Sequence, residues 1–402
     1  MITTIIIAVL AVVQVYLLAN ALHLYYPMVG ALGARFFPRK GEPVLSPPPS
    51  KLAVLIAAHN EARVIGRTVE ALMSQRYPKH GFDVLVVADN CQDETAAVAR
   101  RAGATVYQRF TDEPSTKGQA LGFLWSSLPR GRYSAVVILD ADNEADPAFL
   151  GAIASELGRG YPVVQGIRRA KNSEDGAVAG LDALTELCTH RVGAAGRRWL
   201  GLNGPIMGSG VGYQAALFDR LIKEVGQTVV EDCEWQARLA LEGVTITWTD
   251  RAVIHDEKTA KAGAMQTQRN RWMAGRGQVA RAFAKPLLMA ALTQRNLNAL
   301  DMAAFLLAPP RVLTLAGFGG MWLLAMAGAP GVLSAWVWFS CLALFAAYVC
   351  LGLYLDGAPA RSYMVLFKGA AQLPRFAWQM TGATWKALTG ARVRWVPTPH
   401  GQ

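Results

Sequence analysis

The placement of charge constrains this chain more than any motif does. The first charged residue is Arg35, and no charged residue occurs from Val312 to Leu355. Each stretch exceeds the roughly 20 apolar residues needed to cross a bilayer core. Hydrophobic residues make up 52% of the chain and charged residues 17%, against about 25% charged in a typical soluble domain. This composition excludes a disordered or collagen-like chain and argues against a purely soluble enzyme.

Residues 1–34 read as a retained transmembrane anchor, because a cleavable signal peptide has a basic start and a shorter apolar run. Arg35, Arg39 and Lys40 come directly after it, and positive residues beside a span place the adjoining domain in the cytoplasm. Pro43 to Pro49 reads as a linker. Residues 301–356 read as a transmembrane hairpin with arms at 304–327 and 332–355, joined by Gly328-Ala329-Pro330-Gly331. Pro309-Pro310 should kink the first arm, with Arg311 inside it or near its end. Residues 357–402 read as an interfacial C-terminal segment. The expected protein is integral to a bacterial-type inner or plasma membrane, with its large domain cytoplasmic.

The net charge is 40 − 29 = +11. Nucleic acid and anionic membrane lipids both attract such a surplus, and its place beside apolar spans points to lipid, with no nucleic-acid partner. Residues 258–300 carry much of it and read as amphipathic helices at the membrane interface, with a plain solvated face as the alternative. The five cysteines are odd in number and form no CxxC, so neither a disulfide framework nor a zinc site is expected.

Between the spans, residues 50–257 alternate apolar strand-like runs with helical patterns, the mark of an α/β domain with a mostly parallel sheet. Strands are expected at Leu52–Ala58, Val84–Ala88, Ala135–Leu139, Val163–Gly166 and Val244–Trp248. Helices are expected at Ala62–Gln75, Glu94–Ala102 and Gly118–Leu128.

The strand ends carry the chemistry. Asp140-Ala141-Asp142 comes directly after an apolar strand. Carboxylates at i and i+2 in such a loop can share a divalent cation, and oxygen ligation suits Mg²⁺ or Mn²⁺ completed by a substrate diphosphate. A solvated turn is the plain alternative. Asp89 ends a second strand and suits a base or ribose, while Asp93 suits a helix cap. The first strand ends in His59-Asn60-Glu61, where Asn60 and Glu61 suit nucleotide contacts and His59 a packed loop position. Further on stand Glu231-Asp232 and Gln268-Arg269-Asn270-Arg271-Trp272. On a helix Gln268, Arg271 and Trp272 share one face, offering a guanidinium for phosphate and a flat ring for a sugar. The alternative is an Arg-Trp pair at the membrane surface.

The ordered set NE, D, DxD, ED and QxxRW resembles the family 2 inverting glycosyltransferases over about residues 50–275. It is most similar to the membrane-integrated branch that includes cellulose, hyaluronan and poly-N-acetylglucosamine synthases. The resemblance implies a GT-A-type nucleotide-sugar-binding domain flanked by transmembrane helices. It implies that Asn60, Glu61 and Asp89 hold uracil and ribose, that Lys117 contacts the nucleotide, and that Asp140 and Asp142 hold the metal and diphosphate. Asp232, beside Glu231, is then the general base. Gln268, Arg271 and Trp272 serve the diphosphate and the acceptor end, and the glycine-rich stretch Gly208–Tyr213, with Gly210 and Gly212, lies on the acceptor side.

The expected reaction joins a UDP-sugar, UDP-GlcNAc or UDP-glucose, to a polysaccharide or oligosaccharide with inversion, with export or assembly subunits as further partners. Single transfer to a lipid acceptor is the alternative, and a catalytically degenerate assembly subunit the second. The chain departs from the family's usual pattern at His59 and Cys233, and too few spans are visible for a self-contained polymer channel.

Overall fold

The computed structural model describes residues 1–37, 49–112, 115–224, 230–258, 262–358 and 373–388. Arg39, Lys40, most of the Pro43–Pro49 linker and much of the 357–402 segment lie outside them. Strands are β1 (Leu52–Ala58), β2 (Phe82–Asp89), β3 (Thr105–Arg109), β4 (Ala135–Asp140), β5 (Glu144–Ala145), β6 (Val163–Ala170), β7 (Val211–Gln214) and β8 (Ile246–Asp256). They form one sheet in the order β3-β2-β1-β4-β7-β6-β8-β5.

The first half is parallel: β2 and β4 flank β1, and β3 flanks β2. Leu52 through Ile56 are wholly buried, as expected of a central strand covered on both faces. The second half is mixed. β7 runs antiparallel to β4 and β6, β8 runs parallel to β6, and β5 runs antiparallel to β8. β6 and β8 run well past their expected ends at Gly166 and Trp248. They pair with each other across an irregularity between Gln165 and Ile167, so partner hydrogen bonds carry strand structure into polar sequence.

Helices α2 (Ile65–Met73), α3 (Thr95–Arg101), α4 (Lys117–Ser126), α5 (Phe149–Gly158), α8 (Ala215–Ile222) and α9 (Glu231–Leu241) cover the sheet. Ile65, Val69, Phe149 and Ile153 fill the core on one face. Leu121, Leu124, Phe218 and Trp235 fill it on the other. Between β6 and β7 run α6 (Ala177–Cys188), a π-helical turn (Thr189–Ala194) and α7 (Ala195–Leu200).

Helix α1 (Ile2–Phe36) precedes this domain. After it come α10 (Ala262–Thr293), α11 (Leu297–Leu307), α12 (Arg311–Met326), α13 (Ala335–Asp356) and α14 (Leu373–Leu388). Among the described residues, α1 and α13 are long and apolar enough to cross a membrane, and α11 with α12 makes a third span if the bent pair counts as one. The first arm of the expected hairpin is broken rather than kinked, with a bend of 74° between α11 and α12. Pro309 and Pro310 lack backbone N–H groups there, and Ala308 is extended. The Arg276 guanidinium of α10 donates to the carbonyls of Phe305 and Ala308 that the break leaves open. Arg311 opens α12 and donates to Thr185 O and Thr189 Oγ1.

Beyond Glu257 the sequence holds two acidic residues, Asp301 and Asp356. Each receives arginine from the α/β domain. Arg197 of α7 forks onto Asp301 at 2.8 and 3.2 Å, and Tyr26 of α1 donates to the same carboxylate at 2.6 Å. Arg169 and Arg191 meet Asp356, at the end of α13, at 2.9 and 2.8 Å. These two latches fix the sheet domain to the apolar helices. Asp301→Ala strands Arg197 in a nearly closed site and should cost about 3 kcal/mol, the range for breaking one partner of a buried pair. Thermal unfolding in detergent measures it, and an unchanged transition would remove Asp301 as a latch.

Candidate active site

The carboxyl ends of β1, β2 and β4 and the starts of α4 and α9 come together at one end of the sheet, the end where open α/β sheets bind ligands. β2 ends at Asp89. Its carboxylate accepts from Arg109 Nη1 at 2.9 Å, and Arg109 also donates to Ser115 Oγ at 2.5 Å. Arg109 ends β3, a strand the sequence did not reveal. β1 runs into His59, whose Nδ1 lies 2.7 Å from Asp89 O. Asn60 adopts φ +56°, a conformation Asn tolerates better than most residues. Its Oδ1 accepts from Gln92 N at 2.8 Å, tying the ends of β1 and β2 together. Asp93 accepts from Thr95 N and Ala62 N, one residue before Glu94 at the cap of α3, so it braces the entry to the helix without occupying the cap position.

Thr116 and Gln119 form a reciprocal capping box that fixes the start of α4. Lys117, the first residue of that helix, reaches the Asp140 carboxylate and donates to Gly208 O at 2.6 Å. Burial works to lower the Lys117 pKa, but Asp140, Glu231 and Asp232 outweigh it and hold the amine above its ordinary value. The Asp140 amide donates to Ser209 Oγ at 2.9 Å, and Ser209 in turn donates to Asn143. Asp142 accepts from Asn143 Nδ2 at 2.9 Å. Burial, helped by Asp142, Asp140 and Asp93, pushes the Glu61 carboxyl up to about 8.

That crowding is a test of the metal expectation. Glu61, Asp140 and Asp142 repel one another and offer only hard oxygen donors, the chemistry of a Mg²⁺ or Mn²⁺ site. Among the described residues, no three acidic, His or Cys side chains stand in a complete ligand set. Asp140 is engaged by Lys117 and Asp142 by Asn143.

Glu231 and Asp232 form the first turn of α9. Asp232 Oδ1 accepts from Cys233 N at 2.7 Å. Burial raises both carboxyls, while Lys117 pulls both back toward the ionised form. Gly208 faces the pair. Its φ is +72°, and a Cβ there would stand 3.0 Å from Asp232 Oδ2. Two glycines expected on the acceptor side are placed otherwise. Gly212 is buried inside β7, where a Cβ would meet Ile153 at 2.4 Å, and Gly210 abuts Ile254 at 2.8 Å. Their small size serves sheet packing, and Gly208 is the glycine of that segment that meets the site.

Gln268, Arg271 and Trp272 lie on α10. Burial lowers the Arg271 pKa, opposed by the charges of Glu231, Asp140 and Asp232, so the guanidinium stands within the field of the acidic cluster. Trp272 is 44% exposed. Sequence reasoning also missed Gln165 and Arg168 on β6, which hold the loop before β7. Gln165 accepts from Met207 N at 2.9 Å and donates to Ser209 O at 2.9 Å, and Arg168 donates to Met207 O at 2.9 Å. The polar residues trailing the apolar start of β6 were the available signal.

Glycosyltransferase like family 2 matches residues 47–275, more than half of the chain. The probable glycosyltransferase YdaM of Bacillus subtilis is 24% identical over 242 residues, covering 58% of this chain and 57% of that protein. The beta-monoglucosyldiacylglycerol synthase of Trichormus variabilis is 23% identical over 228 residues, covering 56% of this chain and 48% of that protein. The matches thus span about half the length of these relatives. A mannosyltransferase from Pyrobaculum calidifontis, solved with GDP-Man and Mn²⁺, superposes with a TM-score of 0.58 at 18% identity, over 94% of this chain and all of that one. That likeness shows a GT-A-like α/β fold. The sheet, the acidic strand ends and the match over residues 47–275 agree: this chain belongs to glycosyltransferase-like family 2.

Proposed function

We propose that this chain is a membrane-bound inverting glycosyltransferase of the membrane-integrated branch. It passes a sugar from a nucleotide donor, UDP-GlcNAc or UDP-glucose, to a lipid acceptor on the cytoplasmic side of a bacterial-type membrane. The observation that carries the reading is the half-buried Asp232, set against Gly208 and beside the Lys117–Asp140 pair. A carboxylate whose pKa burial raises is a better proton acceptor near neutral pH than a solvated one.

In this reading Asn60, Glu61 and Asp89 hold the base and ribose, Lys117 and Gln268 the nucleotide, and Arg271 the diphosphate. Asp142 and Asp140 would hold the divalent ion, which when bound neutralises charge on the departing diphosphate. Asp232 takes the proton of the acceptor hydroxyl as its oxygen attacks the anomeric carbon from the face opposite the leaving group, and Glu231 supports it. Trp272 lines the acceptor end. An α-linked donor then yields a β-glycoside.

Two observations favour a lipid over a growing polymer. The Trichormus relative is named for synthesis of a glucosyldiacylglycerol. Among the described residues, two or three helices are suited to crossing a membrane, few for a polymer conduit. Extension of a polysaccharide or oligosaccharide, with export or assembly subunits, is the second reading, and the position of the site beside apolar helices supports both.

Purified protein in lipid vesicles, given radiolabelled UDP-sugars with Mn²⁺ or Mg²⁺, should place the label in the organic phase. Transfer should stop with EDTA and resume with added metal. Long aqueous product would move the assignment to polymer synthesis, and no transfer from any nucleotide-sugar would remove the enzymatic reading.

A further inference from the structure

Arg168 sits beneath the candidate site in a cluster of four charges. Its Nε stands 3.0 Å from Glu186 Oε1 on α6, and its Nη2 2.5 Å from Asp256 Oδ2 at the end of β8. Lys258 contacts the same two carboxylates, Asp256 at 2.8 Å. Two cations and two anions cancel, and all four side chains are at most 16% exposed. Buried ion pairs contribute little to net stability, and apolar replacements of similar volume often do as well. Stability alone is therefore a weak reason for this cluster.

The Arg168 guanidinium also donates to Met207 O at 2.9 Å. The next carbonyl along, Gly208 O, is taken by Lys117. Two successive carbonyls of one loop are thus each held by a cation. Because the peptides are planar and trans, the N–H groups of Gly208 and Ser209 point away from those cations. Gly208 in turn lies directly against Asp232.

We propose that Arg168 is a positioning residue for transfer: by holding Met207 O it keeps the Gly208 backbone against Asp232, so that acceptor hydroxyl and base meet in one geometry. Glu186, Asp256 and Lys258 hold the guanidinium in place for that task. The proposal rests on the transferase reading and names a residue which that reading leaves unused. Lysine cannot replace the arginine, since a single ammonium does not span Glu186, Asp256 and Met207 O as a planar fork does.

Three measurements on the full chain test it. In Arg168→Lys, amide hydrogen exchange in the Met207–Gly210 segment should quicken while that of β1 and β4 stays as in the wild type. Unchanged exchange at Met207–Gly210 overturns the proposal whether or not any donor is turned over. In the same variant kcat should fall on the order of 100-fold, the scale of a small misplacement of reacting groups, with the donor KM within about twofold. The charge-neutral double variant Arg168→Gln with Glu186→Gln separates positioning from folding. Its melting temperature should stand above that of Arg168→Gln alone and near the wild type while kcat stays low, whereas recovery of both overturns the proposal. If the wild type transfers no sugar, the transferase reading falls and the exchange result alone decides.

Discussion

Asp232→Asn should leave UDP affinity within about twofold of the wild type and lower kcat by roughly 100- to 10,000-fold, the range for removing a positioned general base. The substitution is nearly isosteric. The amide oxygen can still accept from Cys233 N, and the space beneath Gly208 is kept, so folding and the donor pocket should survive. What is lost is the ability to take a proton. Calorimetry with UDP and single-turnover transfer separate the two effects, and normal turnover would remove Asp232 from the base role. The wild type should lose activity as pH falls and Asp232 becomes protonated. Because burial raises that carboxyl, the loss should set in at a higher pH than for a solvated aspartate.

Gly196→Val should be about as damaging as Asp301→Ala, although it removes no charge and lies away from the site. A Cβ at Gly196 would stand 2.0 Å from Pro27 O, and one at Gly30 would stand 2.2 Å from Gly196 O. The obstructing atoms are backbone, so side-chain rotation gives no relief, and α1 must leave α7. With it goes the Tyr26 contact to Asp301. A loss of about 3 kcal/mol, the upper part of the range for overpacking a tight contact, is expected. Melting in detergent and protease sensitivity around residue 37 report it. Gly319→Ala is the control, because nothing lies within 4 Å of a Cβ there. Equal stability of the two variants would show that α1 is not anchored through this contact.

What could be read beforehand depended on how local each signal is. β1 and β4 are continuous apolar runs ending in polar residues, and both appear where expected. β3 and β7 are five and four residues long, one mixed in character and the other carrying a central glycine, and only their neighbours make them strands. Asp140 and Lys117 were legible because each sits at an element boundary, and the structure brings them into contact. Arg168 was not, since its guanidinium partners lie 18, 39 and 88 positions away (186 − 168 = 18). Gly212 shows the converse: a glycine in a suggestive stretch is required by a methyl of Ile153. The Pro309-Pro310 pair announced a kink, but the sequence carries no measure of a 74° turn or of the Arg276 guanidinium that stabilises it.

The latches at Asp301 and Asp356 bear on how such a molecule finds its target. Both are clasped by arginines of the sheet domain, one near each end of the apolar helical region. A domain pinned at two points cannot swivel, so Asp232 keeps a constant height and tilt relative to those helices. If the acceptor is the membrane lipid proposed above, encounter becomes a search in a plane, limited by lateral drift and not by three-dimensional collision. Under that regime, diluting the target among inert lipids slows the reaction even when its bulk concentration is unchanged, and shortening or lengthening its head displaces the reacting hydroxyl from the one level the site samples.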